Sequence, residues 1–315
     1  MTITARRVTI LMALYNGAPH LQAQLDSFAA QDWADWDLLV SDDGSGDAGP
    51  EIVRAFAAAQ LKRAVRLISG PKQGFARNFL HLIAEAGDGS AVAIADQDDV
   101  WLPAKLSRAM AVLADHAQDQ PLLYCARTHI VAPDLTPLAL SPRWWRPFGF
   151  ANALVQNVAA GNTIVLNRAA LHLAQEAGRR AAAAGAADVA AHDWWLYQLV
   201  TGAGGLVVRD DAPVLLYRQH PQNEMGRNDT LSAWRARLAK VMSGTFADWN
   251  RRNIAALTAA GDLLTPEARH LLADFARLRQ RGLLGRLAGL RRAGLYRQTR
   301  GAQAVLWLAA ALGRI

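Results

Sequence analysis

Cysteine is almost missing from this chain: Cys125 is the only one in 315 residues, which rules out an intrachain disulfide. That scarcity fits a reducing compartment. Long apolar runs are missing as well. No window holds 18 consecutive apolar residues, so no membrane-spanning helix is expected. Residues 1–7 contain no apolar leader core, so no secretory signal is expected either. Acids stop at Asp274, while nine arginines follow it, at 277, 279, 281, 286, 291, 292, 297, 300 and 314. The other 25 basic residues stand against 27 acids, so residues 1–274 carry a net charge of about −2. The overall charge of +7 therefore belongs to the tail. It is no nucleic-acid footprint over the main domain, and no nucleic-acid partner is expected. No internal repeat is visible.

Hydrophobic residues make up 52% of the chain, enough for a sizeable core. Short apolar runs at 7–14, 36–41, 64–69 and 91–95 read as buried strands. Helical spacing follows at 21–30, 51–59, from Gly74 onward, and at 103–117. Strands that alternate with helices predict an α/β fold with a mostly parallel, doubly wound sheet and helices on both faces. Further on, 121–131 predicts one or two strands, 133–151 a loop rich in Pro and Trp, and 163–166 a strand. Residues 167–187 and 192–200 predict helices, and 205–209 and 214–217 two short strands. Beyond about 230 the pattern is wholly helical.

The chemistry-bearing residues sit where strands end. The run 91–101 passes from an apolar strand straight into Asp96, Asp98 and Asp99. Ligands bind at the carboxyl ends of strands in open α/β sheets. Hard cations such as Mg²⁺ take one or two carboxylates plus substrate phosphates. A metal site holding a phosphorylated substrate is one reading; a solvated acidic turn that caps the next helix is the other. Tyr15 suits stacking on a nucleobase, or packing within its loop. Asp42 and Asp43 suit hydrogen bonds to a base or ribose, or a plain Asp-Gly-Ser turn. Arg77, in the first turn of a helix, suits a diphosphate, or is an ordinary surface residue. Asp193, flanked by His192, Trp194 and Trp195, suits a partly dry pocket that lifts a carboxylate toward a working base, or is a helix cap beside core tryptophans. Arg218 could touch phosphate, and His220 suits completion of a metal shell or a structural role.

Taken in order, the motifs between about 8 and 226 resemble bacterial family 2 glycosyltransferases, in particular their rhamnosyltransferase-like members. They are Ala13-Leu14-Tyr15-Asn16-Gly17, Leu25-Asp26-Ser27 with Gln31, Ser41-Asp42-Asp43-Gly44-Ser45, Gly74-Phe75-Ala76-Arg77-Asn78, the stretch from Asp96 to Leu106, Gly161-Asn162-Thr163, His192-Asp193-Trp194-Trp195 and Tyr217-Arg218-Gln219-His220. The resemblance implies a GT-A fold, an inverting mechanism and a nucleoside-diphosphate sugar donor. It implies donor contacts from Ala13, Tyr15, Asn16, Asp42, Asp43, Arg77, Asp96 and Gln97. Asp96-Gln97-Asp98 matches the family's DXD motif, so Asp96, Asp98 and His220 are expected to hold Mg²⁺ or Mn²⁺. Asp193 falls where the family has its catalytic base. Asn162, Trp194 and Trp195 are assigned to the acceptor. The segment 133–151, with Trp144 and Trp145, departs from the family pattern where acceptors dock.

Two units are expected, a nucleotide-sugar-binding catalytic domain over 1–230 and a helical, Arg-rich region over 231–315. The tail mixes arginine with leucine as amphipathic helices do, which suits anionic lipid headgroups, a helical pair packed on the main domain, or a dimer contact. The expected location is cytoplasmic, peripheral on the inner face of the membrane. The expected activity is transfer of a sugar, such as rhamnose, to a hydroxyl of a glycan or lipid-linked acceptor in cell-surface polysaccharide synthesis. A sugar nucleotidyltransferase is the enzymatic alternative, although residues 14–19 lack the Gly- and Arg/Lys-rich loop that class needs. A non-catalytic nucleotide- or glycan-binding module is the other alternative.

Overall fold

Four of the short apolar runs form parallel strands; three are largely buried on both faces, as parallel strands usually are, and the run 65–69, at the sheet edge, is only partly buried. They are β1 (Val8–Leu14), β2 (Trp36–Asp42), β3 (Val65–Ser69) and β4 (Ala91–Ala95). Between them run α1 (Ala18–Ala29), α2 (Gly49–Ala59) and α3 (Phe75–Glu85), and the spatial order is β3-β2-β1-β4. This computed structural model describes residues 7–87, 89, 91–219 and 243–315. His220 lies outside the described residues, as does the expected domain boundary near 230.

The sheet becomes mixed beyond β4. After β5 (Val100–Trp101) and α4 (Lys105–Ala114) come β6 (Leu122–Val131), β7 (Pro137–Leu140), α5 (Phe150–Ala153), β8 (Val165–Asn167), α6 (Arg168–Ala183), α7 (His192–Gly202) and β9 (Leu206–Arg218). The order continues β4-β8-β6-β9-β5, with β7 paired to β6. Strand β8 runs antiparallel to both neighbours, whereas β6 and β9 are parallel. Asn167 fixes the β8–α6 junction. Its Oδ1 accepts from the amides of Ala170 (2.9 Å) and Leu122 (3.0 Å), and its Nδ2 donates to the Gln120 carbonyl (2.8 Å). One side chain thus caps a helix and ties it to β6.

Two expectations need correction here. Residues 205–209 and 214–217 are not separate strands but parts of β9, whose register against β6 shifts near Ala126 and Arg127. The segment 133–151 is not all loop, because β7 pairs His129 with Leu140 and Ile130 with Ala139.

Alternation along β1 divides the core in two. Val8, Ile10, Met12 and Leu14 pack with Leu25 and Phe28 of α1, Val53 of α2 and Met110 of α4. Leu11 points the other way, into a cluster with Phe79 of α3, Leu171 of α6 and Trp195 of α7. The C-terminal helices are α8 (Thr245–Ala259), α9 (Pro266–Arg279), α10 (Leu283–Arg292) and α11 (Arg300–Ala311). Phe246, Leu257, Phe275, Leu290 and Leu306 from these helices belong to that same second cluster. The described part of the tail therefore continues the main core. Each such side chain contributes about 1.5–3 kcal/mol of burial.

Register decides where the site forms. Leu14 lies opposite Asp42, Asp42 opposite Ser69, and Met12 opposite Ala95. Tyr15, Asp43, Gly70 and Asp96 accordingly leave the sheet along one edge.

Candidate active site

The edge is built from turns that lock one another. Asn16 takes a left-handed conformation, φ 49°, which asparagine tolerates better than most residues. Its amide donates to Ser45 Oγ (3.0 Å), and its Oδ1 accepts from the Gly46 amide (2.8 Å). Ser45 in turn donates from N (3.0 Å) and Oγ (2.6 Å) to Asp42 Oδ1. Asp43 accepts from the Lys72 amide on Oδ1 (2.6 Å) and from the Gly74 amide on Oδ2 (2.8 Å). Asp42 and Asp43, expected on the donor or in a plain turn, hydrogen-bond to the amides and hydroxyl of neighbouring loops in this structure. Gly70 has no room for a side chain, since a Cβ would lie 2.9 Å from the Asp42 carbonyl oxygen.

Gln97 is also a brace. Its Oε1 accepts from the Tyr15 amide (2.8 Å) and its Nε2 donates to the Tyr15 carbonyl (2.9 Å). The Tyr15 ring is left 58% exposed at the cleft. Across the edge, Gly74 enters α3 with φ 87°, and Arg77 stands half-buried in the first turn. Arg77 has no hydrogen-bond or ion-pair partner among the described residues. Helix-start amides beside an uncommitted guanidinium make a site for an anion.

The acids form the other wall. Asp96 is pushed up to about 7, first by burial and then by the charges of Asp98 and Asp193, while Lys105 pulls the other way. Asp193 is pushed up to about 6 by burial. Hydrogen bonds oppose that rise: the Trp194 amide donates to Oδ1 (2.6 Å), the Gly161 amide to Oδ2 (3.2 Å), and Asn157 adds a side-chain contact. Glycine at 161 permits this approach, because a Cβ there would sit 2.8 Å from His192 Nε2. His192 stacks on Phe79 of α3 at 3.9 Å and has its own pKa lowered to about 3 by burial. It thereby joins the helix carrying Asp193 to the helix carrying Arg77.

Sequence reasoning did not assign Lys105 or Asn157 a role in the site, and it took Asp99 only as one acid of the run or as a helix cap. Asp99 is fully buried and accepts from Asn162 Nδ2 (2.6 Å) and the Arg218 amide (3.3 Å). Burial, followed by the charges of Asp98 and Asp96, holds its carboxyl well above the usual range. Lys105 is fully buried too, 3.2 Å from the Trp101 ring centroid, and donates to the Asn162 carbonyl (2.5 Å). Burial pushes its amine well below the usual lysine range, while the nearby carboxyls of Asp99 and Asp96 act in the opposite direction. Asp99 and Lys105 stood inside the matched Asp96–Leu106 stretch, which was the available signal; nothing local marked Asn157.

The three residues assigned to the acceptor are taken up by the core and by the acid loop. Trp195 is fully buried, and Trp194 stacks on Phe246 while its Nε1 donates to the Ala153 carbonyl (2.6 Å). Asn162 is consumed by Asp99 and Lys105. Arg218 is not aimed at phosphate either: it donates to the Asp98 carbonyl (3.0 Å) and to the Pro133 carbonyl. Ala13 forms part of β1 and packs against the core, so a donor contact there would come from its backbone edge.

Among the described residues, no three His, Cys, Asp or Glu side chains gather as a ready metal cage. Asp96 and Asp98 still offer the carboxylate oxygens that a hard divalent cation takes, its shell completed by phosphate oxygens and water.

Residues 9–168 match the family described as Glycosyl transferase family 2. The dTDP-rhamnosyl transferase RfbG of Shigella flexneri is 27% identical over 260 residues, 79% of this chain and 84% of that protein. The Escherichia coli UDP-Glc:alpha-D-GlcNAc-diphosphoundecaprenol beta-1,3-glucosyltransferase WfgD is 30% identical over 106 residues, 34% of this chain and 40% of that protein. Among solved structures, S. aureus TarS 1-349 in complex with UDP-GlcNAc superposes with a TM-score of 0.51 at 14% identity, covering 97% of this chain and 90% of that one. At that identity the likeness speaks for the fold alone.

Proposed function

The chain belongs to glycosyl transferase family 2, and from that premise we propose that it is an inverting enzyme moving a sugar from a nucleoside diphosphate to an acceptor hydroxyl. One observation carries the reading: Asp193, remote in sequence, accepts from the Gly161 amide (3.2 Å) of the turn whose Ile164 carbonyl takes the Ile94 amide (2.9 Å) of β4, and its charge helps raise Asp96 at the end of that strand. A base and a diphosphate anchor in one crevice suit a single direct displacement. Family membership sets aside the nucleotidyltransferase and non-catalytic alternatives.

Each residue then takes a role. Tyr15 offers its exposed ring to the nucleobase, in a loop held by Gln97 and, through Ser45, by Asp42. The α3 amides and Arg77 hold the diphosphate and stabilise the charge that develops on it. Asp96 and Asp98 would hold Mg²⁺ or Mn²⁺, which supplies further positive charge beside the leaving group. Asp193 Oδ takes the proton of the acceptor hydroxyl, whose oxygen attacks the anomeric carbon from the face opposite the diphosphate. The Trp145 ring, largely exposed in the 133–151 segment, offers a face to an acceptor sugar.

The similarity to a dTDP-rhamnosyl transferase supports rhamnose as the sugar and dTDP as its carrier. The similarity to an enzyme acting on a diphosphoundecaprenol-linked sugar supports a lipid-linked acceptor in polysaccharide synthesis. Such an acceptor fits a protein resting on an anionic membrane surface, and no helix among the described residues is long and apolar enough to cross one. The test is a thermal-shift panel of nucleoside diphosphates with and without Mn²⁺. A rise specific to dTDP and dependent on Mn²⁺ is expected. No shift with any nucleotide would contradict the donor site.

A further inference from the structure

The hairpin of α10 and α11 carries a patch that the transfer chemistry does not use. Arg286 locks the start of α10 against the end of α11. Its Nε donates to the Ala310 carbonyl (2.6 Å), Nη2 to the Ala311 carbonyl (2.9 Å) and Nη1 to the Arg281 carbonyl (2.6 Å). The lock brings Leu283, Leu284, Leu308 and Leu312 to one end of the hairpin, and all four are exposed, Leu284 to 80%. The inner faces of the same helices are already committed, with Leu290, Leu306 and Ala310 fully buried. These four leucines are therefore no part of the core, and their clustering calls for a partner.

Charge identifies the partner. Arg281 and Arg314 are exposed beside the leucines, and Arg291, Arg292 and Arg300 are exposed at the far end of the hairpin. None of the five forms an ion pair among the described residues, and no acid follows Asp274 in the sequence. A second copy of the chain would set guanidinium against guanidinium, which disfavours self-association through this face. A bilayer containing anionic lipid complements it on both counts. Leucines enter the boundary of the acyl chains while Arg281 and Arg314 beside them meet headgroup phosphates, and the farther arginines add to the attraction of the anionic surface.

We propose that the leucine end of this hairpin docks the enzyme on an anionic lipid surface. The proposal gives the membrane contact of the preceding reading a defined surface, and it stands on residues remote in sequence from the donor-site motifs.

The test is co-sedimentation of the full-length chain with vesicles of phosphatidylcholine, alone or mixed with phosphatidylglycerol. The wild type should pellet with the mixed vesicles and stay soluble with the neutral ones, and binding should weaken with salt. The double variant Leu284→Glu, Leu312→Glu should lose binding at least about tenfold. Its substitutions are on the surface, and an unchanged melting temperature together with an unchanged nucleoside-diphosphate shift shows that fold and donor site are intact. Wild-type protein left in the supernatant with anionic vesicles, or a variant that binds as well as wild type, overturns the proposal. So does a wild-type dimer that the variant turns into a monomer. Vesicle binding without any nucleotide shift would contradict the donor reading alone.

Discussion

Gln97 holds both backbone groups of Tyr15, accepting from its amide at 2.8 Å and donating to its carbonyl at 2.9 Å. The pair bridges the ends of β1 and β4 and ties the loop of the exposed tyrosine to the acid loop. Gly17 shares this contact: a Cβ there would fall 2.3 Å from Gln97 Oε1.

Replacing Gln97 with Ala removes two hydrogen bonds without touching the base or the anion site. The expected result is a rise in donor KM of about tenfold with a smaller change in kcat. Gln97→Glu cannot donate to the Tyr15 carbonyl and should fall between Ala and wild type. Steady-state kinetics with varied donor checks this. An unchanged KM in both variants would mean that the tyrosine loop does not meet the donor.

Asp43 organises the entry to α3 through the amides of Lys72 and Gly74. Asp43→Ala should weaken nucleoside-diphosphate binding at least about tenfold and cost about 1–3 kcal/mol of stability. Calorimetric titration and chemical denaturation measure the two effects. Lost stability with intact nucleotide affinity would detach the α3 amides from the diphosphate.

The pH dependence follows from Asp193, pushed up to about 6 by burial. A general base must be ionised, so the transfer rate should rise about tenfold per pH unit below 6 and flatten above it. For stability the sign is opposite. The folded pKa lies above the ordinary value of 3.8, so ionisation is harder in the folded chain than in the unfolded one. The resulting penalty is absent below about pH 4, grows between 4 and 6, and is complete above 6. Asp193→Asn removes that penalty, so its melting temperature relative to wild type should be higher at pH 8 than at pH 4. Thermal melts at both values check it, and an equal difference at both would contradict the buried-carboxylate assignment.

Much of this arrangement was legible before any coordinates. Runs such as 91–95 announce buried strands because nothing polar interrupts them, and acids at their ends mark the ligand edge. The family motifs then fixed the fold. The roles of Asp42, Asp43 and Gln97 were not legible, because a side chain that binds a ligand and one that binds a loop amide look alike in sequence. The packing of Trp194 and Trp195 was hidden for a related reason. Their position beside the expected base said nothing about which way α7 turns its rings, and packing against Phe246 and the rest of the core decided it. The tail read as a separate amphipathic region because its leucines serve two ends: some fill the core shared with α6 and α7, and others remain at the surface.

The central claim is that Asp193 is the base for a sugar held by the edge bearing Asp96 and Asp98. Its most direct test is Asp193→Asn, assayed for sugar transfer and, on the same preparation, for affinity toward the donor nucleotide. The account predicts a loss of kcat of about a thousandfold, with nucleotide affinity changed by no more than about a factor of 2. Transfer at a near wild-type rate, with the substitution confirmed and nucleotide bound as before, would contradict it.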